Sequence, residues 1–218
     1  MKQILRAGIV PANSNLPRWE EVYPNLIRPD LVKITDTFTD HSGVLSGRAV
    51  ENNLIVPGGT WSAAAAVAVA DGCAKMTAVT GPLGAVGITS MGTGVKGQIM
   101  VRVKWGETGG YVGMVFRMTS SNGAHWRALL GNTGIQLQER DAVGGGIRSR
   151  TAPFTPVIGQ FYDLKVTFDE GLIVLTCNGL SVEYTDGVSN QEKVSAGLFF
   201  YNTANAALHE VHDIYIGL

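Results

Sequence analysis

The chain is short of charge, of cysteine and of long apolar runs, and each shortage removes a class of function. Charged residues make up 16% of its 218 residues, and the formal net charge is -1. No run of lysines or arginines builds a strip able to neutralise a phosphate backbone, so nucleic acid is not an expected partner. No stretch reaches the roughly 18 apolar residues of a membrane span. Residues 1–15, MKQILRAGIVPANSN, lack the apolar centre of a secretory signal, so a role outside a cell would need another route of delivery. The 2 cysteines, Cys73 and Cys177, sit in no CxxC pair, which leaves redox and zinc chemistry without a sequence basis. Cys177 continues the phase of Ile173 and Leu175 and reads as a small buried residue. A disulfide between the two cysteines would require a geometry that sequence does not supply.

Glycine, by contrast, is abundant at 28 residues, without the strict three-residue period of collagen. It punctuates short elements, as frequent tight turns require. Residues 161–186 show the pattern most clearly. Tyr162, Leu164, Val166 and Phe168 alternate with Asp163, Lys165 and Thr167, and Leu180, Val182 and Tyr184 alternate with Ser181, Glu183 and Thr185. A period of two marks a strand with one face in a core and one in water. Glu170 with Gly171, and Asn178 with Gly179, are the turn residues, the second pair suiting a type I′ hairpin. A further hairpin is expected about Asp71 and Gly72. Ile99, Val101, Val103 and Trp105 share one face of another strand, residues 111–118 are apolar on both faces as in a central strand, and residues 141–156 read as a surface loop. About a dozen strands and no necessary helix predict an all-β, antiparallel jelly-roll sandwich over residues 35–218.

Residues 1–34 differ. Pro11, Pro17, Pro24 and Pro29 interrupt them, which predicts an extended N-terminal arm and no continuous helix. Ile4, Leu5, Leu16, Trp19 and Tyr23 are the apolar residues by which such an arm would dock, either on its own domain or on a partner.

The strings DTFTD from Asp36, LSGR from Leu45, GGTW from Gly58, GLFFY from Gly197 and HDIYI from His212, together with the 161–185 meander, resemble the concanavalin A-like lectin/glucanase superfamily, the laminin-G-like jelly roll, and within it the variants of bacteriophage tail and other virion proteins. The resemblance implies a non-enzymatic virion structural protein of tail or capsid, anchored to other virion proteins by its arm, assembled as a homo-oligomer (a trimer by resemblance), and displaying its sandwich toward a host surface polysaccharide. A cellular carbohydrate-binding module, extracellular or surface-associated, and a glycan-cleaving enzyme are the alternatives, because fold analogy does not choose among them.

Catalytic signatures are absent from the string. A retaining glycosidase needs two carboxyls about 5–5.5 Å apart, and the E-x-D-x-x-E pattern of the laminarinase-like branch does not occur. Glu139 and Asp141 have alternate spacing, but strand-end solvation is the plainer account. His41, His125, His209 and His212 are scattered. No cofactor is expected beyond calcium, which the resemblance associates with the sandwich rim, and for which Asp36 and Asp213 are oxygen ligands of the right kind. Glycan binding needs an aromatic or apolar platform beside hydrogen-bonding groups. The candidates are His125, Trp126 and Arg127 after a turn, Arg148 and Arg150 in the expected loop, and Tyr201, Asn202 and Asn205 at a strand end.

Overall fold

A computed structural model describes residues 32–39, 42–55, 59–63, 66–77, 83–88, 95–106, 109–118, 123–141, 145–193, 195–201, 203 and 209–217. The N-terminal residues Ile4, Leu5, Leu16, Trp19 and Tyr23, and Asn202 and Asn205, lie outside the described residues.

Seventeen strands, numbered in chain order, form two antiparallel sheets, and no helix occurs among the described residues. The ten-stranded sheet runs β15 (Leu180–Tyr184), β14 (Leu172–Cys177), β13 (Phe161–Asp169), β8 (Lys96–Lys104), β17 (Glu210–Gly217), β6 (Cys73–Met76), β5 (Val67–Ala70), β2 (Gly43–Val44), with β1 (Val32–Asp36) on β17 and β3 (Asn52–Asn53) on β1. The seven-stranded sheet runs β12 (Gly146–Pro153), β11 (Gly134–Arg140), β10 (His125–Gly131), β9 (Tyr111–Met118), β16 (Ser195–Tyr201), β7 (Leu83–Ile88), β4 (Trp61–Ser62). This is the jelly-roll sandwich that the alternating strands predict.

The 161–186 meander forms as expected. Tyr162, Leu164, Val166 and Phe168 are all buried on the inner face of β13. Asn178 and Gly179 both take positive φ, 52° and 78°, between β14 and β15. Asp71 and Gly72, at 56° and 72°, do the same between β5 and β6, as a type I′ turn demands. Cys73 and Cys177 are buried free thiols, each pushed up to about 12 by burial. They occupy β6 and β14, which three strands separate.

Phe116 of one sheet stacks on Phe168 of the other, with centroids 5.5 Å apart and planes 10° apart. Trp126 meets Tyr184 edge-on at 5.4 Å. Both pairs cross the interior, where aromatic rings contribute the most buried area per residue. The strand β9 carries a bulge at its end, with Arg117 at φ 50° and a register shift against β16. The irregularity turns Arg117 inward, where it is fully buried. It lies 5.2 Å over the Phe168 ring and donates to the carbonyls of Gly187, Glu170 and Val95. Burial lowers it to about 10.

Two segments depart from the sequence reading. Residues 146–153, expected in a loop, form the edge strand β12, paired along β11 from Gly134↔Pro153 to Arg140↔Gly146. An edge strand packs little, so its residues need no apolar alternation. The sandwich also begins at Val32, whose strand pairs with β17, slightly ahead of residue 35.

Candidate functional site

Because strand residues alternate between faces, the seven-stranded sheet has an outer surface distinct from the core. Val112, Met114 and Phe116 of β9, Trp126, Ala128 and Leu130 of β10, and Leu198 and Phe200 of β16 belong to the main core. Val115, Leu129 and Phe199 form a separate cluster with Met118, flanked by Tyr111 and Tyr201. The strand register places them in rows. One crosses from Gln138 through Arg127 and Val115 to Gly197; the next runs from Gln136 through Leu129 and Gly113 to Phe199; a third holds Gly131, Tyr111 and Tyr201.

Glycine shapes this surface at two positions. A Cβ on Gly113 would come within 2.2 Å of the Ala128 carbonyl oxygen, and one on Gly131 would lie 2.6 Å from the Tyr111 ring. Tyr111 therefore lies down over Gly131. It stacks with Tyr201, their ring centroids 6.1 Å apart and planes 17° apart. Both rings are half-buried. Arg127 reaches across the glycine row to place its guanidinium 4.4 Å from the Phe199 centroid.

His125 orients that arginine. Its Nδ1 lies 2.5 Å from the Gly123 carbonyl oxygen, so Nδ1–H donates there, and Nε2 accepts the Arg127 Nε–H at 2.8 Å. Burial pushes the imidazole down to about 4, so the neutral ring is the form that accepts at neutral pH. Burial, with the nearby Arg140 charge, also lowers Arg127 to about 10. On β11, Gln138 Nε2 donates to Gln136 Oε1 at 2.8 Å. A cleft of about 170 Å³ opens beside them, lined by Gln138, Arg140, Gly146, Ile147, Arg148 and Ser149.

The sequence-derived candidates divide on this frame. His125, Arg127 and Tyr201 lie on the outer surface together. Trp126 does not: it is 0% exposed, faces the core, and donates its indole N–H to Ser189 Oγ at 3.1 Å. It offers no open platform. Arg148 and Arg150 are also otherwise employed, at the open end of the sandwich between β12 and β15. Arg148 bonds Glu139 Oε2 through Nε at 2.6 Å and Asp186 Oδ2 through Nη1 at 2.7 Å, with its guanidinium 4.6 Å from the Tyr184 centroid. Arg150 donates to the Glu183 carbonyl at 2.7 Å and also covers Tyr184. They tie the two sheets together at that end.

The carboxylate candidates are engaged as well. Glu139 is buried against Arg148, and Asp141 Oδ1 accepts the Gly145 N–H at 2.6 Å to close a turn. Asp36, considered as a calcium ligand, is fully buried. Its Oδ2 accepts Arg48 Nη1 at 2.5 Å and Trp61 Nε1 at 2.6 Å, and its Oδ1 accepts the Phe38 N–H at 3.1 Å. Arg48 Nη2 continues to Glu51 Oε1 at 3.2 Å, and Glu51 Oε2 accepts the Thr37 hydroxyl at 2.7 Å. Burial raises the Asp36 carboxyl, against the pull of Arg48 and Trp61. Serving as a rim ligand would require Asp36 to give up this ion pair. Asp213 lies on β17 opposite Arg102, one residue before Ile214, the strand partner of Asp36, and is half-buried.

One set of mixed donors could hold a metal. Cys73 Sγ, Glu210 and His212 offer ligand atoms that all lie within 4.8 Å of one another. Glu210 already accepts from Lys104 at 3.3 Å and pairs with His212 Nε2 at 2.8 Å, so an ion there would have to displace an ion pair. His209, in contrast, is a structural residue. Its ring lies tilted against Trp105 with centroids 4.2 Å apart, accepts from the Gly106 N–H, and bonds the Gly109 carbonyl.

Sequence reasoning missed Tyr111, Gln136, Gln138, Arg140 and Phe199. Alternation along 134–140 and 195–201 carried a signal for them, once the face of β10 was known.

No protein-family model matches the chain, and no curated protein matches it by sequence. Solved structures do match. Carbohydrate-binding module CBM66 from Bacillus subtilis aligns at a TM-score of 0.50 and 14% identity, covering 73% of this chain and 92% of that one. LamAcat from Zobellia galactanivorans aligns at 0.50 and 10%, covering 87% and 98%. The transglycosylase Crh5 aligns at 0.54 and 15%, covering 84% and 82%. At these identities the likeness is one of fold alone, an antiparallel jelly-roll sandwich.

Proposed function

We propose that this chain is a non-catalytic carbohydrate-binding protein acting outside the cell or at its surface, and that the outer face of the seven-stranded sheet is its binding surface. The observation that carries the proposal is the combination on that face of the stacked Tyr111 and Tyr201 rings with half-buried Arg127, Gln138 and Arg140. Sugar rings present apolar C–H faces ringed by hydroxyls, so a site for them needs aromatic surface with convergent hydrogen-bonding groups. Both are present, on rigid strands that hold them without further ordering cost.

A non-catalytic role is supported by the state of the carboxylates nearest this region. Glu139 is held by Arg148, and Asp141 by a turn, so neither is placed as half of a cleaving pair. The fold is shared with both binding and cleaving proteins, and the cellular binding alternative needs no feature of the N-terminal arm. The virion reading rests on the resemblance, with the arm as its anchor; the matched structures support carbohydrate binding better, and the arm lies outside the described residues.

The test is a glycan array probed with the intact chain beside Tyr201→Ala. Binding by the parent, weakened at least about tenfold in the variant, is the expected result. An array with no hit would overturn the proposal. Release of reducing ends from any bound polysaccharide would overturn its non-catalytic half.

A further inference from the structure

The arginines of this chain are not equally satisfied. Arg48 pairs with Asp36 and Glu51, Arg148 with Glu139 and Asp186, and Arg102 faces Asp163 at 4.0 Å. Arg117 donates to three backbone carbonyls and Arg150 to one. Among the described residues, Arg127 and Arg140 alone neither pair with an acid nor donate to a carbonyl oxygen. Arg127 has one hydrogen bond, from Nε to the neutral His125 ring. Arg140 has a buried Nε with no partner at all. The two stand on adjacent strands as diagonal neighbours, since Arg127 opposes Gln138 and Arg140 opposes His125, close enough to interact through their side chains.

Two like charges at this range repel, and a buried donor without an acceptor costs free energy. A fold does not gain stability from such an arrangement. It gains something only if an anion arrives. The geometry is fit for one. With Nε held by His125, Arg127 leaves its Nη1/Nη2 edge free, and that edge presents two parallel N–H donors matched to the two oxygens of a carboxylate or sulfate. Phe199 fixes the guanidinium plane from below. Arg140 lines the adjoining cleft with Gln138 and Ser149, whose polar atoms suit hydroxyls beside the acidic group. The chain as a whole carries -1, so this is a local field and not a generally basic surface.

We infer that the glycan taken by the outer face is acidic, with a carboxylate or sulfate group held by Arg127 and Arg140. The inference rests on the carbohydrate-binding reading and narrows it to anionic saccharides.

Binding of the intact chain to polygalacturonate, dextran sulfate and neutral dextran would be measured by calorimetry or affinity electrophoresis. Variants Arg127→Met and Arg140→Met keep an apolar stem and remove the charge, and Lys193→Gln, which loses only a surface pair with Glu192, controls for net charge. The expected result is preference for one acidic polymer over dextran, reduced about tenfold or more by either methionine variant, unaffected by Lys193→Gln, and weakened by salt. Polygalacturonate against dextran sulfate separates carboxylate from sulfate recognition. Equal binding of neutral and acidic polymers, or acidic binding indifferent to both arginine variants, overturns this inference and leaves carbohydrate binding standing. Equal loss with Lys193→Gln also overturns it, as it would report net charge alone. If none of the polymers binds and the glycan array is also empty, both readings fall together; array hits confined to neutral sugars defeat the acidic one only.

Discussion

Asp36, Arg48, Glu51 and Trp61, at the start of the sandwich, form a closed set of charges. Every carboxylate there has a donor and the guanidinium has two acids, with Asp36, Arg48 and Trp61 buried and Glu51 at the solvent edge. His125, Arg127 and Arg140, on the outer face of the other sheet, form an open one. They comprise two cations, a ring kept neutral, and no acid among the described residues. His125, Arg127 and Arg140 sit on strands, as do Asp36 and Trp61, while Arg48 and Glu51 come from the segment between β2 and β3. The two sets differ in charge balance, and that difference separates a joint of the fold from a place where something else is meant to bind. A buried charge that is matched can hold a structure in register, whereas an unmatched one weakens it until a ligand completes it.

Disruption of the closed set should produce the largest effect. Asp36→Ala leaves the Arg48 guanidinium and Trp61 N–H facing a void, and should cost about 3–5 kcal/mol in urea-induced unfolding. A loss below about 1 kcal/mol would mean that the pair behaves like a solvated surface bridge, and the contrast would collapse.

Acid should act next, through the open set. The His125 ring falls from 6.5 to about 4 on folding. Between those values the unfolded chain takes up the proton and the folded chain does not, so stability is fully present above pH 6.5 and declines as pH falls through the window. The decline amounts to about 3 kcal/mol by pH 4. Arg127 and Arg140, which face the ring, stay charged throughout and oppose a third positive charge. Chemical unfolding at stepped pH reads the slope, and His125→Gln should flatten it. An unchanged slope in that variant would assign the acid sensitivity to other groups.

The smallest effect has the opposite sign. Arg140→Met removes a donor that lacks a partner and a charge that repels Arg127. It should leave the free protein as stable or raise it by up to about 1 kcal/mol, seen as a higher Tm. A marked loss would show that Arg140 serves the fold after all, and the two charge clusters would then be alike.

Much of the fold was legible in the sequence, for identifiable reasons. The meander of β13, β14 and β15 announces itself because water lies on one side of each strand and Asn178 and Gly179 tolerate the turn. The edge strand β12 escaped because Arg148, Ser149, Arg150 and Thr151 have no apolar face to alternate with. The site was legible by halves. Along β10, Trp126, Ala128 and Leu130 have one parity and Arg127 and Leu129 the other, and both include apolar residues. Period two tells which residues share a face, but not which face meets the core. Trp126 therefore reads as a platform, and nothing in the string singles out Phe199. That Arg127 bonds His125 while Arg148 meets Glu139 is set by pairing between strands, which a linear string does not disclose.

The place of β17 in the ten-stranded sheet carries a consequence for how the chain reaches this state. It pairs with β1, β6 and β8, so the final strand is the common partner of three made much earlier. The ten-stranded sheet cannot close until Glu210–Gly217 is available, and β1, β6 and β8 wait until then for their common partner. Folding is therefore slow for the chain's size, since contacts so distant in sequence must overcome loop-closure entropy before they contribute. Refolding followed by stopped-flow fluorescence should fall in the millisecond-to-second range or beyond, and chains stopped before Glu210 should aggregate sooner than they fold; a microsecond phase carrying the full amplitude would contradict this order of events.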